Sequence, residues 1–254
     1  MTKPAPCGDK DAESFAGEAL ENGLLATLPT EAWRRWAGRL EPVNLTRGQV
    51  LCDSGRAPQH AYFPTSAVVS LLYNTQDGHS CEVAVVGREG LAGISLFTGG
   101  DSTASQMVVQ TSGRAFRMSA DAIKFEIDSC VAVSAMMLHC LQALMTQVAH
   151  TAACQRFQSI DQLLSRRLIQ GLDRSNSNTL PMTHELVASL LGVRREGVTS
   201  AALRLQEEGL IRYRRGQISV LDRMSLTQRA GLAQRMPLRL PSKLKPGLAM
   251  ASAA

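Results

Sequence analysis

The chain has 254 residues, 44% hydrophobic and 19% charged, which excludes a disordered polymer and allows one large domain or two modest ones. No run approaches the roughly 20 uninterrupted apolar residues that span a bilayer, and the opening MTKPAPCGDKDAESF lacks the apolar centre of a secretory signal, so a cytoplasmic protein without a membrane partner is expected. The net charge of +5 is unevenly placed: residues 1–155 carry 11 basic and 15 acidic side chains, and the last 99 residues are +9, so a polyanion such as nucleic acid would meet the C-terminal part.

Residues 1–23 are small and polar and read as a flexible arm. From Leu24 to Leu40 the spacing of Leu25, Leu28, Ala32 and Trp36 predicts an amphipathic helix, with Pro29 in its first turn. Between Gly48 and Met118 short apolar runs follow one another: QVLC, AVVSLLY, CEVAVV, QMVVQ and RAFRM. Turn signals such as Asp77-Gly78 and Gly99-Gly100 separate them, which predicts a closed or two-layered antiparallel β structure.

Ser119 can cap a helix, and the texture stays helical to Leu172, with a break expected near Cys154 to Ser159. Within this stretch Leu138, Leu141, Met145, Val148 and Ala152 follow the three-and-four spacing of a coiled-coil seam. Val133, Met137, Cys140 and Leu144 make a second stripe. A helix apolar on two sides can pack on its own domain and on a second copy at once; one broad core face within a monomer is the alternative.

RSNSNTLP (174–181) is a linker of turn formers. Thr183 then caps a helix through Leu191, Gly192 supplies a positive-φ turn, Val193 fills the angle, and Val198, Ala201, Ala202 and Leu205 line a second helix that ends at Gly209. This is helix-turn-helix spacing, in which the start of the second helix enters the major groove. Arg195 can bond the O6 and N7 of guanine and Glu196 can accept from cytosine N4, whereas Arg194 suits a phosphate. LIRYRRGQISVLD reads as two strands around Arg215-Gly216, a wing with Arg212, Arg214 and Arg215 available to the DNA backbone.

These residues resemble the Crp/Fnr family of bacterial transcription regulators over roughly residues 24–223. The most specific part is THELVASLLGVRREGV with LxxEGLI behind it, similar to the family's winged helix; YFP with VVSL, and GREGLAGISLF, resemble its β-roll sensor. The resemblance implies an α+β fold with an N-terminal antiparallel, jelly-roll-like β-roll, a long central dimerisation helix and a C-terminal winged helix-turn-helix. The divisions are an arm (1–23), a sensor domain (24–129), the dimerisation helix (130–157), the DNA-binding domain (158–223) and a basic tail (224–254) expected to be disordered. It further implies a homodimer on double-stranded DNA, and contact with RNA polymerase if the protein is an activator.

Carried over by position, the family's base-reading Arg and Glu fall on Arg195 and Glu196 and the next base-reading Arg falls on Ser200; Thr183 joins Arg194 among the phosphate contacts. Arg194 stands where a Ser or Thr is usual and Gly197 where a Thr is usual, so the operator should differ from the best-known family sites. In the sensor, the family's ribose-binding Glu and phosphate-binding Arg fall on Gly93 and near Thr103, and no Lys or Arg lies between Arg88 and Arg114. A buried phosphate without a cation is poorly compensated, so cyclic AMP is not expected as the effector. Candidate pocket residues are Gly93, Ser95, Thr103, Arg88 and Arg114, with the effector unknown and no cofactor.

Six cysteines (7, 52, 81, 130, 140, 154) show no zinc or disulfide spacing, and the lone Cys7 cannot replace the N-terminal cluster of the family's iron-sulfur sensors. His79 and Cys81 resemble, in reversed order, the haem-ligand pair of the family's carbon monoxide sensor; a solvent-facing hairpin histidine beside a buried cysteine is the simpler expectation. No nucleophile can be paired with a base, so no enzyme is expected. The competing function is a ligand- or haem-gated interaction protein whose winged helix contacts a protein rather than DNA; the arginine-rich wing argues against it.

Overall fold

The computed structural model describes residues 9–99, 102–174 and 177–231. The segment expected to be a loose arm carries a helix, α1 (Asp9–Ala19), and a tightly held turn; residues 1–8 lie outside the described part. The reason is Asn22, which is fully buried. Its Nδ2 donates to the Pro64 and Gly90 carbonyls at 2.8 and 2.9 Å, and its Oδ1 accepts from the Leu24 and Leu25 amides. Two donor bonds and two acceptor bonds satisfy the whole amide, so this buried polar group costs little and fixes the chain to the roll. Phe15 adds an edge-on contact with Phe116.

The next helix, α2 (Thr30–Ala37), starts later than the apolar spacing suggests. Leu25–Thr27 is a separate 3-10 turn and Leu28 is extended (φ −61°, ψ 136°), because a residue preceding proline is pushed out of the helical region. Leu25, Ala32 and Trp36 are buried as the periodicity predicts.

The β-roll contains β1 (Glu41–Leu45), β2 (Val50–Cys52), β3 (His60–Pro64), β4 (Val68–Asn74), β5 (Ser80–Val86), β6 (Gln106–Thr111) and β7 (Gly113–Ser119). They form two antiparallel sheets, β1-β7-β3 and β2-β6-β4-β5. Pairs such as Phe63 with Phe116 and Val69 with Val86 set the register. Leu45, Val69, Met107 and Val109 fill the interior. The runs read from Gly48 onward became β2, β4, β5, β6 and β7. Strand β1 was not legible, since EPVNL contains Pro42; an edge position tolerates a residue with no amide to donate.

Ser119 caps α3 (Ala120–Ser129) by accepting from the Ala122 amide. The helical stretch then breaks at Cys130 (φ −143°, ψ 106°) before α4 (Val131–Phe157), and again at Gln158, where Ser159 and Gln162 form a reciprocal cap for α5 (Ile160–Asp173). The two stripes of α4 part company. Val133, Met137 and Cys140 are buried on the roll, while Leu138, Met145, Val148 and Ala152 are exposed and Leu141 is half-buried. By length and composition α4 could also cross a membrane, and only 22% of its apolar window is buried.

The C-terminal domain follows: β8 (Thr179–Leu180), α6 (His184–Leu191), α7 (Arg195–Glu207), β9 (Ile211–Arg214), β10 (Gln217–Val220) and α8 (Arg223–Arg229). Part of the expected linker is thus β8, which pairs with β10 and gives the wing a third strand. The segment 224–254 expected to be disordered contributes most of α8, because Leu226 is fully buried in the domain core and Gln158 Nε2 donates to the Ala230 carbonyl; residues 232–254 lie outside the described part.

The two domains touch. Helix α6 lies against β5, Gln155 on α4 donates to the Leu191 carbonyl, and Arg174 pairs with Glu89 at 2.7 Å. Arg167 on α5 pairs with Glu82 on β5 at 2.8 Å, with both side chains under one-tenth exposed.

Candidate nucleic-acid interface

Thr183 Oγ1 accepts the Leu186 amide at 3.1 Å, which starts α6 where the sequence places it. Gly192 closes that helix with φ 63° and ψ 33°, a left-handed conformation that glycine adopts without penalty. Val187, Ala188 and Leu191 on α6 meet Val198, Ala201, Ala202 and Leu205 on α7 in one core, with Val193 packed on its edge.

Arg194 is the N-cap residue of α7 and its side chain makes no cap bond, so part of the first turn is left for an acceptor outside the helix. Arg194, Arg195 and Glu196 are all exposed. Arg195 has one weak partner, Glu185 at 3.8 Å, with side chains 66% and 74% exposed; such a pair is screened and leaves the guanidinium free to move. Ser200 is exposed, but its hydroxyl donates to the Glu196 carbonyl one turn back, so it reaches outward less readily than the arginine usual there. Gly197 has a packing reason that sequence reasoning missed. A Cβ on it would meet Ile160 Cδ1 at 2.6 Å, so the small residue seats α5 against the start of α7.

The wing is a two-residue hairpin. Arg214 pairs with Gln217, and Arg215 (φ 49°) and Gly216 (φ 76°) form a left-handed turn that suits strand twist. Alternation along β9 exposes Arg212 and Arg214 and turns Tyr213 inward. Tyr213 stacks on His184 at 4.0 Å, and His184 Nδ1 lies 3.1 Å from Thr199 Oγ1 on α7. His184 therefore joins the start of α6, the second turn of α7 and the wing. Burial, then the neighbouring Arg195 charge, hold its imidazole below the usual histidine range, so it stays neutral in this role. This role was not legible along the chain, because both partners of His184 lie 15 or more residues away.

Neither of two cavities formed by the described residues is lined by Gly93, Ser95, Thr103, Arg88 or Arg114. Gly93 is buried with φ 109°, and a Cβ there would lie 3.1 Å from the His60 carbonyl oxygen and 3.2 Å from Ala61 Cα, so a glutamate cannot be accommodated without moving β3. Ser95 sits in the 3-10 turn Ile94–Phe97. Thr103 is occupied locally, its hydroxyl on the Ser105 carbonyl and its backbone on Arg56 and Gly55. Arg114 points to Glu18 on α1 at 2.5 Å, and Arg88 is exposed in a turn. His79 is exposed in the β4–β5 turn. Cys81 is half-buried beside Gly192, where an added Cβ would come within 3.1 Å of Cys81 Cβ.

Known proteins share both halves of this architecture. The Crp-like helix-turn-helix domain matches residues 161–229 and the cyclic nucleotide-binding domain matches residues 42–129. A Mycobacterium tuberculosis protein named CRP-like cAMP-activated global transcriptional regulator is 26% identical over 216 residues, covering 82% of this chain and 96% of that one. Among solved structures, a protein from Eubacterium rectale assigned to the Crp/Fnr family of transcriptional regulators superposes with a TM-score of 0.70 at 17% identity, over 83% of this chain and 99% of that one. FixK2 from Bradyrhizobium japonicum gives a TM-score of 0.64 at 14% identity, over 74% and 96%.

Proposed function

We propose that the chain is a Crp/Fnr-type transcription regulator that reads two inverted DNA half-sites as a homodimer, a reading supported by the match of a Crp-like helix-turn-helix domain to residues 161–229 and of a cyclic nucleotide-binding domain to residues 42–129. The observation that carries the reading is the single exposed face on which Arg194, Arg195 and Glu196 open α7 beside the arginine-bearing wing. Arg195 and Glu196 specify bases, with Ser200 a lesser contributor. Thr183, Arg194, Arg212, Arg214 and Arg215 hold phosphates. Two such faces related by a two-fold axis place recognition helices about 34 Å apart, one duplex turn.

The second copy covers the outer stripe of α4. Leu138 and Met145 are 66% and 59% exposed, more apolar side chain than a solvated helix carries on one line. That use also accounts for the length and apolarity of α4 without a membrane. The protein acts in the cytoplasm, without catalysis, and contacts RNA polymerase where it activates.

The sensor domain works without a cyclic nucleotide. Gly93 cannot carry the ribose-binding carboxylate, and Arg114 is engaged by Glu18. Selection of bound sites from a random duplex pool tests the DNA reading: an inverted repeat with one-turn spacing is expected, and recovery of no sequence preference refutes it.

A further inference from the structure

Between β5, α4, α5 and α6 lies a cavity lined by Glu82, Gln147, Thr151, Arg166, Arg167 and Gln170, among others. Its volume is about 30 Å³, where one water needs roughly 10–15 Å³, so it has room for about two waters and a mouth to solvent. Two arginines are buried here, Arg166 6% and Arg167 3% exposed, against one carboxylate. That carboxylate is already used. Glu82 Oε1 accepts from Arg167 Nη1 at 2.8 Å and Oε2 accepts from Ser70 Oγ at 2.5 Å.

What is left over is positive. Among the described residues, Nε and Nη2 of Arg167 and Nε of Arg166 are buried with no acceptor, and none forms an ion pair with Arg166. A buried lysine or histidine in this position could lose its proton, but an arginine keeps its charge. Burial pushes the Arg166 guanidinium below its ordinary value, and its charge also contributes, after burial, to holding the His150 imidazole down. An uncompensated buried charge is strongly disfavoured, so this arrangement calls for a counter-anion.

We propose that this cavity binds one small oxyanion group, a phosphate or a carboxylate, between Arg166 and the free edge of Arg167, and that its occupancy fastens the DNA-binding domain to the β-roll. The size excludes a whole nucleotide from the interior. The site is separate from Gly93, Thr103 and their neighbours, none of which lines it. Its walls come from both domains, so an anion there stabilises this docked arrangement over any in which α6 leaves β5.

The test is thermal unfolding and isothermal titration of the full chain with sodium phosphate and, separately, sodium acetate, against sodium chloride at equal ionic strength. At a concentration near tenfold the Kd, the bound anion should raise Tm by about 3–5 °C. Phosphate alone acting marks a phosphate site, and acetate alone a carboxylate site. Arg166→Met should abolish the shift while leaving the anion-free Tm unchanged or higher, because an unpaired buried cation has been replaced by an apolar side chain. Glu82→Gln frees Arg167 from its internal carboxylate and should tighten anion binding about tenfold or more. No shift of the wild type with either anion overturns the proposal. So does a shift that survives Arg166→Met, which would place the anion on the surface arginines. Should Arg166→Met fail to fold, Glu82→Gln decides, and unchanged or weaker binding there counts against the site.

Discussion

Replacing Arg195 by alanine separates base reading from electrostatic attraction. In the free protein the side chain does little, since its one ion pair spans 3.8 Å between groups 66% and 74% exposed. Removing it should therefore change folding stability by less than about 1 kcal/mol. On DNA, removing a bidentate hydrogen bond to a base edge costs roughly 1–3 kcal/mol, and a symmetric dimer loses it twice. The sum of about 2–6 kcal/mol corresponds to roughly 30-fold to 10⁴-fold weaker operator binding. Fluorescence anisotropy with the selected operator and with a scrambled duplex of equal length, at fixed salt, measures it. The operator should lose affinity by that factor, the scrambled duplex by much less, and site selection with the variant should relax at one base pair per half-site. Equal losses on both duplexes with an unchanged consensus would refute base reading by Arg195 and leave it as a phosphate anchor. A melting temperature well below wild type would show instead that the side chain holds the fold.

Arg214→Ala should weaken operator and scrambled duplex alike and lower the slope of log K against log salt by about one for each phosphate that the guanidinium neutralises, read from a salt titration. Met145→Asp places an unpaired carboxylate on the outer stripe of α4 and should yield monomers in sedimentation at micromolar concentration; a wild type that is itself monomeric there contradicts the dimer. Calorimetry should detect no micromolar binding of cyclic AMP, and Gly93→Glu should destabilise the roll instead of restoring a ligand, because φ 109° and the nearby His60 carbonyl oppose any side chain. The Arg204 hydrogen bond, ahead of the opposing effect of burial, holds the Asp161 carboxyl below its ordinary range. The stability it contributes is present above about pH 4 and is lost as pH falls through the lowered folded-state value, so Asp161→Asn should flatten acid unfolding in that window.

What could be read along the chain was what neighbours within a few residues decide. Thr183 caps because its hydroxyl meets an amide three residues on, Gly192 turns because only local sterics oppose a left-handed residue, and Arg215-Gly216 makes a hairpin from its own dihedrals. The same holds for the two stripes of α4, since helical periodicity alone assigns residues to faces. The expectations that changed depend on distant partners. Asn22 looked like part of a polar arm, yet it is buried by bonds to Pro64 and Gly90, 42 and 68 positions away. Strand β1 carries a proline that only an edge position tolerates, and edge or centre is a property of the assembled sheet. Arg166 and Arg167 read as two more basic residues of the C-terminal part. Only the docking of α5 and α6 on β5, with Glu82 85 residues from Arg167, turns them from solvated charge into buried guanidiniums facing a cavity, because burial belongs to the packed surface and not to the residue.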